Sequence, residues 1–281
     1  MIDNRFRRLS HLFRLAAVAA CLGWFGMTAA GQTGTQTQTQ TQKPKPFEPT
    51  VGQDGKDVVW VPTPQALVDK MLDLAKVAAS DYVMDLGSGD GRTVITAAKR
   101  GATAIGIEYN PDMVELSRKN AAAAGMTAKA TFTKADLFET DLSKATVITM
   151  FLLPEINIKL RPKILDLKPG TRVVSNTFTM DDWEADETAT VTEDCTSWCT
   201  ALFWLVPAKV AGTWQVGQTK LSLTQTFQML TGTLGPTAIT DGRLRGAQIA
   251  FSVGSTKYTG TVNGSSITGK TSSGQAWTAT R

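Results

Sequence analysis

The sequence predicts an α/β fold built on a largely parallel sheet, followed by a small all-β antiparallel domain of the meander or barrel type. Short apolar segments alternate with segments of helical spacing from residue 58 to about residue 206, and a glycine-rich turn follows an early apolar segment. After residue 208 the chain is rich in Thr, Ser and Gly and alternates only over strand lengths. Strands that alternate with helices of about 10–15 residues form right-handed βαβ units.

Composition allows one core domain and a smaller companion within the 281 residues. The hydrophobic content of 42% and the charged content of 19% are ordinary for a folded soluble protein. The formal net charge is +4, and most of it comes from four arginines among the first thirty residues. A nucleic-acid partner would leave a basic patch or stripe. None is visible, so we expect no nucleic-acid partner.

The first thirty residues have the pattern of an export signal. Four arginines lie among residues 5–14, residues 15–30 are apolar or small, and Thr28-Ala29-Ala30 is a plausible small-residue cleavage site. We predict a signal peptide over residues 1–30 and a protein exported to the periplasm or cell envelope. The alternatives are an uncleaved anchor, a lipoprotein attached at Cys21 and, if the true start lies downstream, a cytoplasmic protein.

Histidine and cysteine usage narrows the chemistry. The only histidine, His11, lies in the predicted signal together with Cys21. The mature chain would then lack the histidine of Ser-His-Asp and Cys-His hydrolases and of His-ligated metal sites, and we predict no metal. Cys195 and Cys199 lie across the turn of a predicted hairpin, where an oxidising compartment favours a disulfide. Two free thiols are the alternative.

The chain divides into four predicted regions. The signal is followed by a low-complexity Thr/Gln linker over residues 31–57, which has too few apolar residues to offset the entropy of ordering. Residues 58–208 form the α/β domain, and residues 209–281 form the β domain. The predicted strands of the α/β domain are Tyr82–Leu86, Ala104–Glu108, Thr131–Ala135, Thr146–Phe151 and Arg172–Asn176, with a hairpin near 188–206. The predicted helices are Pro64–Lys76, Thr93–Lys99, Pro111–Ala124 and Pro154–Leu167.

The C-terminal region contains a short internal repeat. A glycine is followed by an aliphatic residue two positions on and then by Ile239, Ile249 or Ile267 at the same spacing. Asn263-Gly264 between strand-like flanks is a hairpin turn signal. The pattern predicts an antiparallel meander that forms a small barrel or a curled sheet.

A glycine-rich turn ends the first predicted strand, in the segment Asp85-Leu-Gly-Ser-Gly-Asp-Gly-Arg92. Three alternating glycines let the backbone turn sharply and approach a ligand with no side chain between them. A dinucleotide-binding loop would have glycine where Arg92 stands. Such a segment alone is also compatible with a simple turn.

Two acids follow the next two predicted strands. Glu108 ends the second strand, and Asp136-Leu137 follows the third. Because parallel strands end at one edge of a sheet, both acids reach the crevice of the glycine turn. Glu108 can accept hydrogen bonds from ribose hydroxyls, and Asp136 from an adenine amino group, while Leu137 packs on the ring. Either acid alone would be a surface residue; together they predict a nucleoside site.

Further motifs make the pattern specific: Val61-Pro-Thr-Pro64, Phe151-Leu-Leu-Pro154 and Val174-Ser-Asn-Thr-Phe178, with Asp182-Trp183 just after. Over about residues 58–206 the sequence resembles class I methyltransferases, which have a Rossmann-like seven-strand sheet. In particular it resembles protein-lysine methyltransferases that include mitochondrial enzymes acting on the c subunit of ATP synthase and archaeal relatives of broad specificity. The resemblance implies S-adenosylmethionine (SAM) as cofactor. The implied cofactor-binding residues are Val61, Thr63, Asp85, Gly87, Ser88, Gly89, Gly91, Arg92, Glu108, Asn110, Asp136 and Leu137.

The resemblance also implies that the segment 151–155 faces the transferred methyl group. We take Phe151, Glu155 and Asn176 as the catalytic candidates, and add Phe178 and Trp183 as candidates for a lysine pocket. Packing or capping explains each of them about equally well. The chain differs from the family at Trp60, where many members have tyrosine, and in its exported context and extra domain. These differences bear on the acceptor rather than on the fold.

The sequence therefore predicts a SAM-dependent methyltransferase with a protein or small-molecule acceptor, and lysine is the favoured acceptor. Two alternatives are a small-molecule methyltransferase and an extracytoplasmic nucleoside-binding protein without catalysis, because SAM is made in the cytoplasm. Phe151-Leu-Leu-Pro154 stands where amino methylases of adenine or cytosine carry Asn/Asp-Pro-Pro-aromatic. The C-terminal domain is expected either to associate with the envelope or to stabilise the core.

Overall fold

The computed structural model describes residues 47–281, in which a helix-flanked sheet is followed along the chain by a closed barrel. The helices are α1 (Gln65–Leu74), α2 (Arg92–Lys99), α3 (Pro111–Ala123) and α4 (Pro154–Leu165). The strands of the sheet are β1 (Tyr82–Leu86), β2 (Thr103–Glu108), β3 (Ala130–Lys134), β4 (Val147–Met150), β5 (Arg172–Asn176), β6 (Glu187–Thr190) and β7 (Thr200–Leu205). The predicted signal, with His11 and Cys21, and residues 31–46 of the predicted linker lie outside the described residues.

The sheet has the strand order β3-β2-β1-β4-β5-β7-β6. β1 to β5 are parallel, whereas β7 runs antiparallel to both β5 and β6. The order reverses at β1, where the chain crosses from one half of the sheet to the other. Ligands of open α/β sheets bind at such a switch point, outside the carboxyl ends of the strands. The predicted α/β sheet with its terminal hairpin is confirmed.

Strand residues alternate between two hydrophobic cores on the two faces of the sheet. Val83 packs with side chains of α1, α2 and α3, whereas its neighbour Met84 packs with side chains of α4. Local signals set the helix ends: the side chain of Asn110 caps α3 by accepting from Asp112 N, and Pro111 occupies the first turn. The sheet is therefore buried on both sides and presents its carboxyl edge to solvent.

The second part of the chain is a closed antiparallel barrel of eight strands. Its strands are β8 (Gly212–Val216), β9 (Thr219–Thr226), β10 (Met229–Leu234), β11 (Thr237–Arg245), β12 (Gln248–Val253), β13 (Thr256–Asn263), β14 (Ser266–Thr271) and β15 (Ala276–Thr280). The three repeated isoleucines, Ile239, Ile249 and Ile267, are buried in a core that also holds Trp214 and Phe251. The interior is filled by side chains, as in other small barrels, and the predicted C-terminal barrel is confirmed.

The barrel is fastened to the sheet through the hairpin loop between β9 and β10. Phe227 in this loop stacks on Trp183 of the core, with ring centroids 5.9 Å apart. Next to it, Gln228 Nε2 donates to Glu184 O at 2.9 Å. A second contact is the ion pair between Arg243 of the barrel and Asp186, which are 2.8 Å apart. The side chain of Asp186 is 1% exposed.

No helix within residues 47–281 is both long enough and apolar enough to cross a membrane.

Candidate functional site

A pocket of about 230 Å³ lies at the carboxyl edge of the sheet, beside the ends of β1, β2 and β4. One wall comes from the sheet and its glycine turn, and the opposite wall comes from residues 53–63. The pocket brings together most of the residues predicted from sequence. Those that line it are Val61, Thr63, Asp85, Gly87, Ser88, Arg92, Glu108, Asn110, Asp136, Leu137 and Phe151.

The glycine turn holds a backbone conformation that other residues rarely adopt. Gly87, Gly89 and Gly91 have φ angles of +76°, +53° and +83°. A Cβ atom on Gly89 would lie 2.6 Å from Nε1 of Trp60, and one on Gly91 would lie 2.7 Å from the Phe132 ring. Gly89 and Gly91 do not line the pocket themselves, but glycine at these positions allows the turn to form so close to its neighbours.

Asp85 is the buried acid of the site, at 6% exposure. The hydroxyl of Thr149 donates to its Oδ1 at 2.6 Å. Burial raises the pKa of Asp85 to about 7, the hydrogen bond from Thr149 opposes this rise, and the nearby Asp90 and Glu108 add to it. A cation bound beside Asp85 would favour its ionised form.

Glu108 is fixed at the end of β2 by two backbone donors. Its Oε2 accepts from Gly89 N and its Oε1 accepts from Asn110 N, both at 2.9 Å. The carboxylate thus joins the glycine turn to the start of α3 and lines the pocket between them. Its role as an acceptor for ribose hydroxyls stays a prediction.

Asp136 has a partner that the sequence did not indicate. Its Oδ1 accepts from Phe138 N at 2.8 Å, and its Oδ2 accepts from Lys56 Nζ at 2.6 Å. The hydrogen bond from Lys56 lowers the pKa of Asp136, and the same bond raises the pKa of Lys56. Lys56 also lies 5.1 Å from the ring centroid of Tyr109. The acid expected to meet adenine is therefore already paired with the opposite wall of the pocket.

The opposite wall is the loop of residues 53–63, which packs against the glycine turn. Its first residues, 53–57, belong to the segment that the sequence predicted to be a linker. Trp60 pairs with Gln53 and Gly52 through two backbone hydrogen bonds of 2.9 and 2.8 Å, which close the loop between them. Arg92 donates from NH1 to Thr63 O at 2.9 Å while its guanidinium binds Asp90. The predicted role of 61–64, closing the site from the N-terminal side, agrees with this position.

The end of the pocket beyond β4 is aromatic. Phe151 and Phe178 are stacked with centroids 5.8 Å apart, and Trp198 lies 6.0 Å from Phe151 at an angle of 59°. Thr177, a β-branched residue at φ +59°, precedes Phe178, and such a backbone conformation requires support from its surroundings. Trp198 was missed from the sequence; its place between Cys195 and Cys199, which form the predicted disulfide, was the available signal.

Three residues predicted for the acceptor pocket lie elsewhere. Glu155 is exposed in the first turn of α4, where an acid is stabilised by the helix dipole, and it does not line the pocket. Asn176 is buried behind Thr63, to which its Nδ2 donates at 3.3 Å. Trp183 is fully buried between Trp204 of the sheet and Phe227 of the barrel, and it forms part of the contact between these two parts. Glu155 and Asn176 therefore lie outside the pocket lining, and their catalytic role stays a prediction.

The pocket residues fit SAM. The bare backbone at Gly87 leaves room for a ligand, and Glu108 offers acceptor atoms for a diol at the end of β2. Asp85 is a buried acid that a cationic group would stabilise. Apolar side chains, among them Leu137, Met150 and Leu152, line the remaining space.

Comparisons with known proteins agree with this site. The model of the family described as the ANTKMT methyltransferase domain matches residues 85–187. A protein-lysine N-methyltransferase from Saccharolobus islandicus (strain REY15A) is 47% identical over 133 residues, which cover 46% of this chain and 83% of that protein. The lysine N-methyltransferase of Mus musculus that is named for the ATP synthase c subunit is 38% identical over 107 residues, which cover 38% of this chain and 43% of that protein.

A solved structure is similar over the same region. The structure described as an RNA methyltransferase from Salinibacter ruber in complex with S-adenosyl-L-homocysteine has 47% sequence identity and a TM-score of 0.50, and the match covers 53% of this chain and 96% of that one. Fold, site and relatives together define a class I SAM-dependent methyltransferase. Within that class, the chain belongs to the family of the Saccharolobus islandicus protein.

Proposed function

We propose that this protein is a protein-lysine N-methyltransferase. The observation that carries the proposal is the aromatic end of the pocket, where Phe151, directly after β4, stacks on Phe178, which follows β5. Aromatic faces bind ammonium groups, including methylated ones. The names of the Saccharolobus and mouse relatives, which describe lysine methyltransferases, add support.

The chemistry requires alignment more than acid–base groups. SAM, when bound, supplies an electrophilic methyl group to a nucleophile with a lone pair. The chain's own task is to hold the acceptor nitrogen on that line and to keep water away. A lysine that enters among Phe151, Phe178 and Leu153 leaves water for an apolar surface, which lowers the pKa of its amine. The ring faces oppose this effect by attracting the ammonium form, so loss of hydration must prevail for the neutral nucleophile to form.

The surface around the pocket favours an acceptor carried on a macromolecule. Seven large hydrophobic side chains are exposed within the described part of the chain, and four of them, Val59, Tyr109, Leu153 and Trp198, line this pocket. Clustered exposed apolar residues are typical of contact surfaces for another molecule. A small polar acceptor would not need such a rim.

The test is methyl transfer from tritiated SAM to extracts of the native organism. We expect label in a proteinase-sensitive fraction, with the methyl group located on lysine by mass spectrometry of the labelled peptides. Glu108→Gln serves as the matched inactive control. Label that is removed by ribonuclease would instead favour an RNA acceptor, as the name of the Salinibacter protein suggests for that protein. Label in the small-molecule fraction, or cofactor binding with no transfer, would overturn the proposal.

We further propose that the mature protein acts outside the cytoplasm. The basic and apolar pattern of residues 1–30 supports export, and a Cys195–Cys199 disulfide is typical of oxidising compartments. Cell fractionation followed by N-terminal sequencing of the native protein is the test, and it also reports association with the envelope. A chain that begins at Gly31 in the exported fraction supports the proposal; an intact chain in the cytoplasm overturns it.

A further inference from the structure

The tip of the β6–β7 hairpin presents a tryptophan to the pocket mouth. Residues 191–199 join the two strands, and the Cys195–Cys199 disulfide closes the second half of this loop. Trp198 lies inside the closed part, is 44% exposed and lines the pocket. A large exposed aromatic side chain at that place is available to a molecule that enters.

Trp198 adds a third ring to the aromatic end of the pocket. Phe178 is nearly parallel to Phe151, at 18°, whereas Trp198 is tilted from Phe151 by 59°. The three rings therefore do not all lie in parallel planes. Ammonium groups are attracted to ring faces within about 6 Å of the centroid. Neighbouring rings at different angles can offer more than one face to the same cation.

The backbone at Trp198 is held in a conformation that a bulky residue rarely adopts. Its φ is +52°, and Asp194 at the other side of the loop has a φ of +54°. A residue keeps such an unfavourable backbone conformation only where contacts with the surrounding structure hold it there. The bonded Cys199 is the next residue in the chain. The hairpin also holds the loop that carries Phe178, because Thr177 N donates to Thr200 O at 2.7 Å.

We propose that Trp198 is a specificity-determining residue for the methyl acceptor, and that the Cys195–Cys199 disulfide positions it. With Phe151 and Phe178 it forms the surface that receives the ammonium group of the acceptor lysine and of its methylated product. This inference rests on the proposed function. Reduction of the disulfide to two thiols, with two electrons and two protons supplied by an external dithiol, releases the loop and the ring.

The first experiment measures binding of a defined cation. Full-length protein saturated with S-adenosylhomocysteine is titrated calorimetrically with Nα-acetyl-Nε-trimethyllysine amide, and separately with the neutral isostere that has carbon in place of Nε. We expect the wild type to prefer the cation. Trp198→Ala should weaken cation binding about tenfold and the isostere much less. Trp198→Phe should keep part of the preference, and Ser197→Ala in the same loop should change neither affinity.

The second experiment examines the disulfide. The double variant Cys195→Ser/Cys199→Ser should have lower affinity for the cation than the wild type, as Trp198→Ala has. The wild type in dithiothreitol should show the same loss of cation affinity. Dithiothreitol should have no further effect on Trp198→Ala itself. Affinity for S-adenosylhomocysteine should stay close to wild type in all variants, which separates loss of the ring from loss of the fold. The thermal unfolding midpoint should stay close to wild type in the Trp198 and Ser197 variants and should fall modestly when the disulfide is lost, because a constraint on the unfolded chain is removed.

The outcomes separate this inference from the proposed function. If the wild type binds the cation and Trp198→Ala binds it equally well, the role of Trp198 is overturned while lysine methylation stands. If Trp198→Ala also loses S-adenosylhomocysteine, the ring belongs to the cofactor wall and the specificity role is overturned. If the wild type binds S-adenosylhomocysteine but neither binds the cation nor methylates any lysine, both proposals fall.

Discussion

The charge of Asp85 depends on what lies beside it. In the protein alone, burial raises its pKa to about 7. SAM carries a sulfonium and an ammonium group, and a cation near a carboxyl group lowers the pKa of that group. Cofactor binding and ionisation of Asp85 should therefore support each other.

This linkage predicts pH-dependent affinity. Because binding favours the ionised acid, SAM affinity should rise with pH below about 7, by at most about tenfold per pH unit, and level off above it. Calorimetry at pH 6 in two buffers of different ionisation enthalpy should detect a released proton. In Asp85→Asn the proton release should vanish. Equal proton release in that variant would show that another group is responsible.

The same acid affects the stability of the ligand-free protein in the opposite sense. The pKa of Asp85 is higher in the folded protein than the ordinary value of 3.8, so the folded state holds a proton that the unfolded state has lost. The free energy of unfolding should therefore fall as pH rises from about 4 to about 7. Urea unfolding of wild type and Asp85→Asn should diverge across this window.

Gly89 offers a prediction with an internal control. Alanine costs about 1–2 kcal/mol at a left-handed position, and both Gly89 and Gly125 are such positions. Only at Gly89 would the new Cβ meet Trp60, because a Cβ on Gly125 has nothing within 4 Å. Both variants should lose stability through the backbone, Gly89→Ala at least as much as Gly125→Ala because of the added contact with Trp60. Only Gly89→Ala should lose SAM affinity, by about 100-fold or more. Equal affinities would contradict the site assignment.

Among the elements, the loop of residues 53–63 is the wall of the pocket whose tip and base are held by different contacts. Backbone pairs of Trp60 and the Arg92–Thr63 contact hold its base, whereas its tip is held by Lys56 on Asp136. An exposed ion pair contributes little to global stability and is screened by salt. Its effect should fall on the opening of the pocket instead.

Lys56→Met should accelerate release of S-adenosylhomocysteine several-fold while leaving the unfolding midpoint nearly unchanged. The reason is that Lys56 joins the two walls of the pocket, through Asp136 and the ring of Tyr109. Stopped-flow dissociation gives the rate, and Lys70→Met, on the exposed side of α1, is the control. A release rate equal to that of Lys70→Met would mean that the tip does not gate the pocket.

Whether a feature could be predicted from the sequence depends on whether a pattern along the chain indicates the contact that creates it. The strands, the glycine turn and Glu108 were predictable because βαβ units place successive strand ends at one edge. Lys56 was not, since it pairs with a residue 80 positions away and no local pattern indicates this contact. Trp183 was assigned to the pocket from its residue type, which does not reveal that Phe227 of the barrel would cover it.

At the scale of the whole molecule, the barrel is part of the packing of the core. Phe227 covers Trp183 on one side and lies 5.1 Å from the guanidinium carbon of Arg161 on the other. Phe227→Ala should lower the free energy of unfolding by about 2 kcal/mol, because it leaves a gap beside a buried tryptophan. Met229→Ala, in the same hairpin but half-exposed, should cost no more than about 0.5 kcal/mol. Denaturant unfolding measures both.

The β6–β7 hairpin is held at its base by the barrel, and its tip is cross-linked within itself. At its base, Arg243 and Arg245 of the barrel pair with Asp186 and Glu187; at its tip, the disulfide lies beside the pocket mouth. β6 has four residues, which span only about 13 Å at the usual rise of a strand. We expect that a hairpin this short, with two ion pairs at its base, cannot move as a rigid unit. Any excursion of the tryptophan at its end must come from the few residues of the tip, and hydrogen exchange should be fast there and slow in both strands.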